Sequence, residues 1–284
     1  MKLLIVSGLS GSGKSVALHT LEDLGYYCID NLPVGLLNSL ASELTSTQHP
    51  VAQAAVGIDA RNLPRALQQV GDTLDELKAR QIDSEILFLT CETETLIKRF
   101  SETRRRHPLS DSGQSLAEAI ESEKQLLEPL SQRADLFMDT SHTTLHQLRD
   151  LVRQRVAGRR DHSLSLLFQS FGYKHGIPVD ADFVLDVRCL PNPHWQPELR
   201  PLTGRDPAVV HFLESEPSVG AMYATLTDFF DRWIPDFEAE NRSYLTVALG
   251  CTGGQHRSVY LAERLAQHFR DRYPSVATRH RELS

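Results

Sequence analysis

The sequence predicts an α/β protein: a parallel-sheet domain built around a phosphate loop, followed by a smaller α/β domain. Three observations carry this. The first half alternates short β-prone runs with helical patterns, the signature of a parallel sheet with helices on its faces. Near its start, Gly8-Leu9-Ser10-Gly11-Ser12-Gly13-Lys14-Ser15 reads G-x-x-x-x-G-K-[ST] between a strand and a helix. Near the other end, Gly250-Cys251-Thr252-Gly253-Gly254-Gln255-His256-Arg257-Ser258 again joins a strand to a helix through glycines.

Taken in order, Leu3-Leu4-Ile5-Val6 is a buried strand, and Leu18, Leu21 and Leu24 mark a helix stopped by Gly25. Residues 26–29 form a second strand ending in Asp30-Asn31, and 36–44 a helix. Residues 54–58 form a third strand ending at Asp59-Ala60-Arg61-Asn62. Residues 67–80 are helical, 86–89 are a buried strand, and 96–100 begin a helix that runs into Arg104-Arg105-Arg106-His107. Residues 116–127 are amphipathic, 136–138 are a last strand and 145–156 a closing helix. Residues 157–162 are polar with a helix stop. The domains are therefore placed at 1–156 and 163–284, joined by a linker at 157–162. In the second domain, 164–171, 183–189 and 244–249 read as strands. Residues 209–213 and 223–233 read as helices, and Leu261, Leu265 and Phe269 mark one face of another.

The 284 residues are 40% hydrophobic and 24% charged, an ordinary folded composition, long enough for two cores. The net charge of −7 provides no global attraction to nucleic acid or membrane, so such contacts need a local patch. Of 30 basic residues only six are lysine, leaving 24 arginines, the side chain suited to planar recognition of phosphate and carboxylate. Cys28, Cys91, Cys189 and Cys251 form no C-x-x-C pair and read as reduced thiols. No run has membrane-spanning length and the N-terminal apolar run is only a strand long. The expectation is a cytoplasmic protein with no membrane partner.

The chemistry of the first motif explains its spacing. Backbone N–H groups and a helix N-terminus form an anion cradle, and glycine lets the chain wrap phosphates closely. Lys14 would reach the β- and γ-phosphates and the Ser15 hydroxyl would hold Mg²⁺. Asp59 and Asp30, each at a strand's carboxyl end, are the candidate acidic partners of that metal, or simply turn and cap residues. Arg104–Arg106 with His107 suit either a lid over a transferred phosphoryl group or a solvated helix end. The lid points to a small-molecule kinase.

The second glycine loop is another anion cradle, and Cys251 to Arg257 also has the C-x₅-R spacing of cysteine-dependent phosphatases. His175 and His194, in loops after other strands, would converge on the same pocket or be structural. At the C-terminus, Arg257, Arg264, Arg270, Arg272, Arg279 and Arg281 face Glu263, Asp271 and Glu282, six against three, a local charge of +3. That run suits a nucleic-acid backbone or a basic helix surface.

These motifs, together with Leu21-Glu22-Asp23, Asp30-Asn31-Leu32-Pro33, Phe171 to Pro178 and Leu190 to Trp195, resemble the RapZ family of RNase adapter proteins along nearly the whole chain. The resemblance implies a P-loop kinase-like first domain binding ATP or GTP, with at most weak hydrolysis. It implies a second domain, similar to a phosphofructokinase subdomain, that senses glucosamine-6-phosphate. It implies presentation of a small regulatory RNA to RNase E, controlling glucosamine-6-phosphate synthase, by a homo-oligomer expected to be a tetramer. Gly8 to Ser15 match the family's ATP motif and Asp59, Ala60, Arg61 and Asn62 its GTP stretch. His175, His194, Thr252, Gly253, Gly254, His256 and Arg257 match the sugar-phosphate positions. Arg264, Arg270, Arg272, Arg279 and Arg281 would meet the RNA. The chain ends at Arg281-Glu282-Leu283-Ser284, without the lysine-rich tail of the best-described members.

Overall fold

The computed structural model describes residues 1–46, 51–62, 64–110, 114–157, 164–240 and 242–283. The chain divides into two compact units, Met1–Arg153 and Gln154–Ser284. Most of the predicted 157–162 linker lies outside the described residues.

The first unit runs β1 (Lys2–Gly8), α1 (Lys14–Asp23), β2 (Tyr27–Ile29), α2 (Leu37–Ser46), β3 (Gln53–Gly57), α3 (Pro64–Gln68), α4 (Val70–Ala79), β4 (Asp83–Thr90), α5 (Thr93–Thr103), α6 (Leu116–Ser131), β5 (Leu136–Asp139) and α7 (Leu145–Val152). Its five strands are all parallel, in the order β2-β3-β1-β4-β5. Central β1 is apolar on both faces because both are covered, as a parallel sheet requires. Leu3 and Ile5 join the core made with Leu37, Val70, Leu77 and Leu127. Strand order reverses around β1, so the crevice at its carboxyl end is where an open α/β sheet binds ligand.

The predicted helix over 67–80 is broken: Gln69 leaves helical geometry (φ −91°, ψ 7°) between α3 and α4. The predicted run of α5 into the arginines also stops early. Arg104 takes a left-handed conformation (φ 51°) and caps the helix.

The second unit contains β6 (Ser165–Gly172), β7 (Phe183–Asp186), α8 (Pro207–Glu214), α9 (Pro217–Ala239), β8 (Tyr244–Cys251), α10 (Arg257–Arg270) and β9 (Ser275–His280). Its four parallel strands run β7-β8-β6-β9. Phe168, Phe230, Leu245, Leu261 and Phe269 form its core. Strand β7 is shorter than the predicted 183–189, because Asp186 accepts the Arg188 N–H (2.9 Å) and turns the chain. Strand β9 replaces what reads as a continuing basic surface: Arg279 lies in the sheet, paired in register with Gln169 of β6. Arg155 belongs to this unit. Its fully buried guanidinium donates to the Ser165 carbonyl (3.2 Å) and the Thr246 hydroxyl (3.2 Å), and burial lowers its pKa to about 10.

Candidate functional site

The loop from Gly8 to Gly13 is shaped by three glycines with positive φ: Gly8 (138°), Gly11 (86°) and Gly13 (109°). At Gly8 a Cβ would come within 2.1 Å of the Leu89 carbonyl oxygen, so β1 and β4 approach too closely there for any side chain. Leu9 anchors the loop in a small core with Cys91, Leu96 and Ile120.

Four of the loop's carbonyls accept side-chain hydrogen bonds. Lys14 Nζ donates to the Gly8 (2.7 Å) and Leu9 (3.1 Å) carbonyls. Arg99 on α5 donates to the Gly11 carbonyl (3.0 Å), and the Thr140 hydroxyl, after β5, to that of Ser12 (2.9 Å). The first N–H groups of α1 have no carbonyl one turn earlier, and they remain as the donors of an anion cradle. Ser15 is exposed at this helix start.

Burial pushes the Lys14 ammonium below its usual pKa, opposed by the charges of Glu123, Asp59 and Asp30. Those three carboxylates thus face the loop's lysine. Asp59 is buried after β3. Burial would raise its carboxyl, but the Arg61 hydrogen bonds (2.9 and 2.5 Å to Oδ2) and the Lys14 charge hold it below the usual range. The residues fit a nucleoside triphosphate with Mg²⁺: a glycine cradle, a lysine at its mouth, an exposed serine hydroxyl and an acidic side chain beside the lysine. Ala60 is buried, and Asn62 ties backbone to backbone. It accepts the Val34 N–H (2.8 Å) and donates to the carbonyls of Leu32 and Asp59 (both 3.3 Å).

Glu123, which the sequence does not single out, and His107, read there as part of a lid or helix end, complete the loop. Glu123 of α6 is fully buried and accepts the Ser10 N–H (2.8 Å) and hydroxyl (2.7 Å). His107 Nε2 lies 3.1 Å from the same carboxylate, while its Nδ1 accepts the Leu109 N–H (3.2 Å), so Nε2 carries the proton. His107 is therefore not part of an exposed lid; the exposed residues are Arg104, Arg105 and Arg106. A signal existed in the spacing. Ile120, Glu123, Leu127 and Leu130 lie on one helical stripe, and a glutamate on an apolar stripe needs an internal partner.

In the second unit, β8 delivers Cys251 to the loop before α10. The Cys251 thiol accepts the Gly254 N–H (3.2 Å) and contacts the Ser258 hydroxyl (3.2 Å). Burial would raise that thiol, but these bonds outweigh it and lower its pKa. Cys251 is 3% exposed, with its sulfur held inside the loop by these contacts.

Arg257 is also buried. Its Nη1 donates to the carbonyls of Arg188 (2.8 Å) and Leu190 (2.9 Å), while Nη2 lies 3.4 Å from the Thr252 hydroxyl. His256 turns to the Leu199 carbonyl (3.2 Å), and burial lowers its pKa. His194 is exposed 6.4 Å from it, ring to ring. His175 sits in the short turn after β6, and Thr252 and Gly253 face Lys174 of that turn. Gly254 (φ 72°) is roofed by Glu282, whose oxygen lies 2.2 Å from where a Cβ would stand.

The C-terminal arginines are spread over helix, strand and tail. Arg264 pairs with Glu214 (2.5 Å), Arg272 with Asp231 (2.5 Å) and Arg279 with Asp180 (3.9 Å). Arg270 donates to the Gln267 amide (3.0 Å) and Arg281 to the Gly176 carbonyl (3.3 Å). Among the described residues no group of three or more His, Cys, Asp or Glu side chains is placed to hold a metal, and no helix is long and apolar enough to cross a membrane.

A glycine loop closing on a helix N-terminus at the carboxyl end of a central parallel strand defines a phosphate-loop α/β protein, here with a second parallel α/β unit. The family model described as the RapZ-like N-terminal domain matches residues 1–160, and that of the RapZ C-terminal domain matches residues 164–284. The chain belongs to the RapZ family. It is 59% identical over 288 residues to a protein of Alkalilimnicola ehrlichii (100% of this chain, 99% of that one) and 57% identical over 286 residues to one of Thioalkalivibrio sulfidiphilus (100% of both). Both relatives are named nucleotide-binding protein. Among solved structures, shikimate kinase from Acinetobacter baumannii is similar at a TM-score of 0.36 and 16% identity, covering 55% of this chain and 92% of that one.

Proposed function

We propose that the protein is a nucleotide-binding regulatory adapter: it binds ATP or GTP with Mg²⁺ at Gly8–Ser15, senses glucosamine-6-phosphate in its second unit, and presents a small RNA to RNase E. The observation that carries the nucleotide reading is the loop itself, with its carbonyls engaged by side chains and Lys14 and Ser15 at the helix start. The names of the relatives agree with it. Bound Mg²⁺ would neutralise phosphate charge from Ser15, with Asp59 or Asp30 as the acidic partner. Lys14 binds and orients the phosphates, and the glycines admit them to hydrogen-bond distance. Support for the sensor is the second cradle at Cys251–His256; the identity of its sugar and the RNA role rest on family membership.

Calorimetry tests the reading on the whole chain. Wild type should bind ATP or GTP only with Mg²⁺, and Lys14→Ala should lose that binding. Glucosamine-6-phosphate should bind the same protein more tightly than glucose-6-phosphate. A gel shift at stated salt with a small structured RNA should be lost in an Arg270, Arg272, Arg279, Arg281→Ala variant and modulated by glucosamine-6-phosphate. No nucleotide binding by wild type overturns the first assignment, and no RNA binding above background overturns the adapter role.

A further inference from the structure

We propose that Glu123 is a positioning residue of the phosphate loop: it fixes the Leu9–Ser10 peptide so that Lys14 is held at the mouth, and through His107 it fastens the arginine-bearing segment to the same loop. The inference rests on the nucleotide reading and adds a residue to it.

The geometry is that of one peptide plane. A trans peptide points its C=O and N–H in opposite directions. The Ser10 N–H points at Glu123 Oε2 (2.8 Å), so the Leu9 carbonyl must face away, and there it meets Lys14 Nζ (3.1 Å). The same carbonyl accepts the Ser12 N–H (3.0 Å), so the turn holds one end of this peptide and Glu123 the other; without Glu123 the plane loses its N–H anchor, and the Leu9 carbonyl its fixed direction toward the lysine. The Ser10 hydroxyl on Oε1 (2.7 Å) clamps the carboxylate in one rotamer.

A fully buried carboxylate is costly unless its oxygens are bonded, and a leucine would serve the Ile120–Leu127 stripe better for stability alone. The charge is therefore held here for the loop. Burial would raise the Glu123 carboxyl, but the bonds from His107 and Ser10 and the Lys14 charge hold it below the usual range. Lys14 in turn faces Glu123 from α6, Asp59 and Arg61 after β3, and Asp30 after β2. His107 follows Arg104–Arg106 directly, and its proton on Nε2 makes the third bond to the carboxylate. The arginine run is thus anchored one residue from its end to the same group that sets Lys14.

The test uses the full chain with Glu123→Gln, Glu123→Leu and His107→Ala. Circular dichroism first confirms that each variant is folded. The amide of Glu123→Gln can accept from the Ser10 N–H and donate to its hydroxyl, so it keeps the shape and loses only the charge. Three readouts follow: affinity for a fluorescent ATP analogue with Mg²⁺, the pH dependence of Lys14 acetylation by acetic anhydride read by mass spectrometry, and the rate of tryptic cleavage after Arg104, Arg105 and Arg106.

Glu123→Leu should weaken the analogue at least thirtyfold and speed cleavage at the arginine run at least tenfold. His107→Ala should speed cleavage alike while weakening the analogue less than fivefold. Glu123→Gln should leave cleavage near wild type and move Lys14 acetylation to lower pH. A wild-type acetylation profile in Glu123→Gln together with a wild-type cleavage rate in Glu123→Leu would overturn the inference. If wild type fails to bind the analogue, the nucleotide reading falls, and acetylation and cleavage still decide whether Glu123 sets Lys14 and the segment.

Discussion

Replacing Arg257 by alanine should unfold the second unit more easily before it says anything about ligand. The guanidinium makes two short bonds to main-chain carbonyls, Arg188 and Leu190, from a site only 4% exposed. Hydrogen bonds from a charged donor contribute about 1.5–3 kcal/mol each, and a carbonyl left without a donor costs about 1–3 kcal/mol if buried. Leu190 is buried and Arg188 exposed, so water rescues one carbonyl and not the other. A net loss of about 3 kcal/mol results. At a urea slope of about 1.5 kcal/mol/M for a unit of this size, the midpoint falls by about 2 M. The protein's two tryptophans, Trp195 and Trp233, both lie in this unit, so fluorescence reads its unfolding directly. Arg257→Lys, which reaches one carbonyl, should lose about half as much. A midpoint within about 0.3 M of wild type for Arg257→Ala would refute the bracing role and return Arg257 to the ligand.

Lys14→Ala should weaken nucleotide by about thirtyfold or more, the worth of one charge-assisted phosphate contact, as read by calorimetry. Gly25→Ala meets open space and only the strain of φ 88°, so it should cost about 1–2 kcal/mol in urea unfolding of the first unit. Gly8→Ala adds a clash with the Leu89 backbone and should cost about 1–3 kcal/mol more. Equal losses in the two would contradict the packing. The His280 hydrogen bond, with Arg205, holds the Glu263 carboxyl at about 2. Since that lies below its unfolded value of about 4.3, its contribution is present above that pH and drains away as the pH falls towards 2. Glu263→Gln should flatten the fall of the fluorescence midpoint across that window. If RNA binding uses all five C-terminal arginines, the plot of log K against log salt should slope by about −3.5 to −4.5, whereas Arg270 and Arg281 alone would give about −1.5.

The phosphate loop is legible because its chemistry demands particular residues at fixed spacing, and the alternating strands before and after it give the parallel sheet. What escapes is what depends on the third dimension. Glu123 reads as one more charge among Glu118, Glu121 and Lys124 until the stripe with Ile120 and Leu127 is counted. His107 reads as the end of a basic run, yet the left-handed cap at Arg104 turns the chain and puts the ring in the interior. Strand β9 has no apolar alternation to announce it: as an edge strand rich in serine, threonine, arginine and histidine, it is held by its ladder with β6. In the second cradle the residue types are readable but not their directions, and a buried arginine spent on carbonyls has the same letters as one aimed at phosphate.

The two cradles share a strand–loop–helix plan and differ in how their donors are spent. In the first, carbonyls are bound by Lys14, Arg99 and Thr140, and the helix N–H groups stay available. In the second, the Gly254 N–H is committed to the Cys251 thiol, Arg257 to the 188–190 backbone and His256 to Leu199. Glu282 also covers Gly254 with a carboxylate that burial raises above its usual pKa. Lys174 of the turn after β6 lies beside Thr252 and Gly253, and Arg257 braces the loop against the 188–190 backbone. The cations beside this loop come from elsewhere: Lys174 from the turn after β6, and Arg188, paired with Asp186 and stacked 3.9 Å over Tyr173, from the loop after β7. The first loop holds its main cation inside the motif and the second borrows its cations from other strands, which is why spacing alone describes the one and only outlines the other.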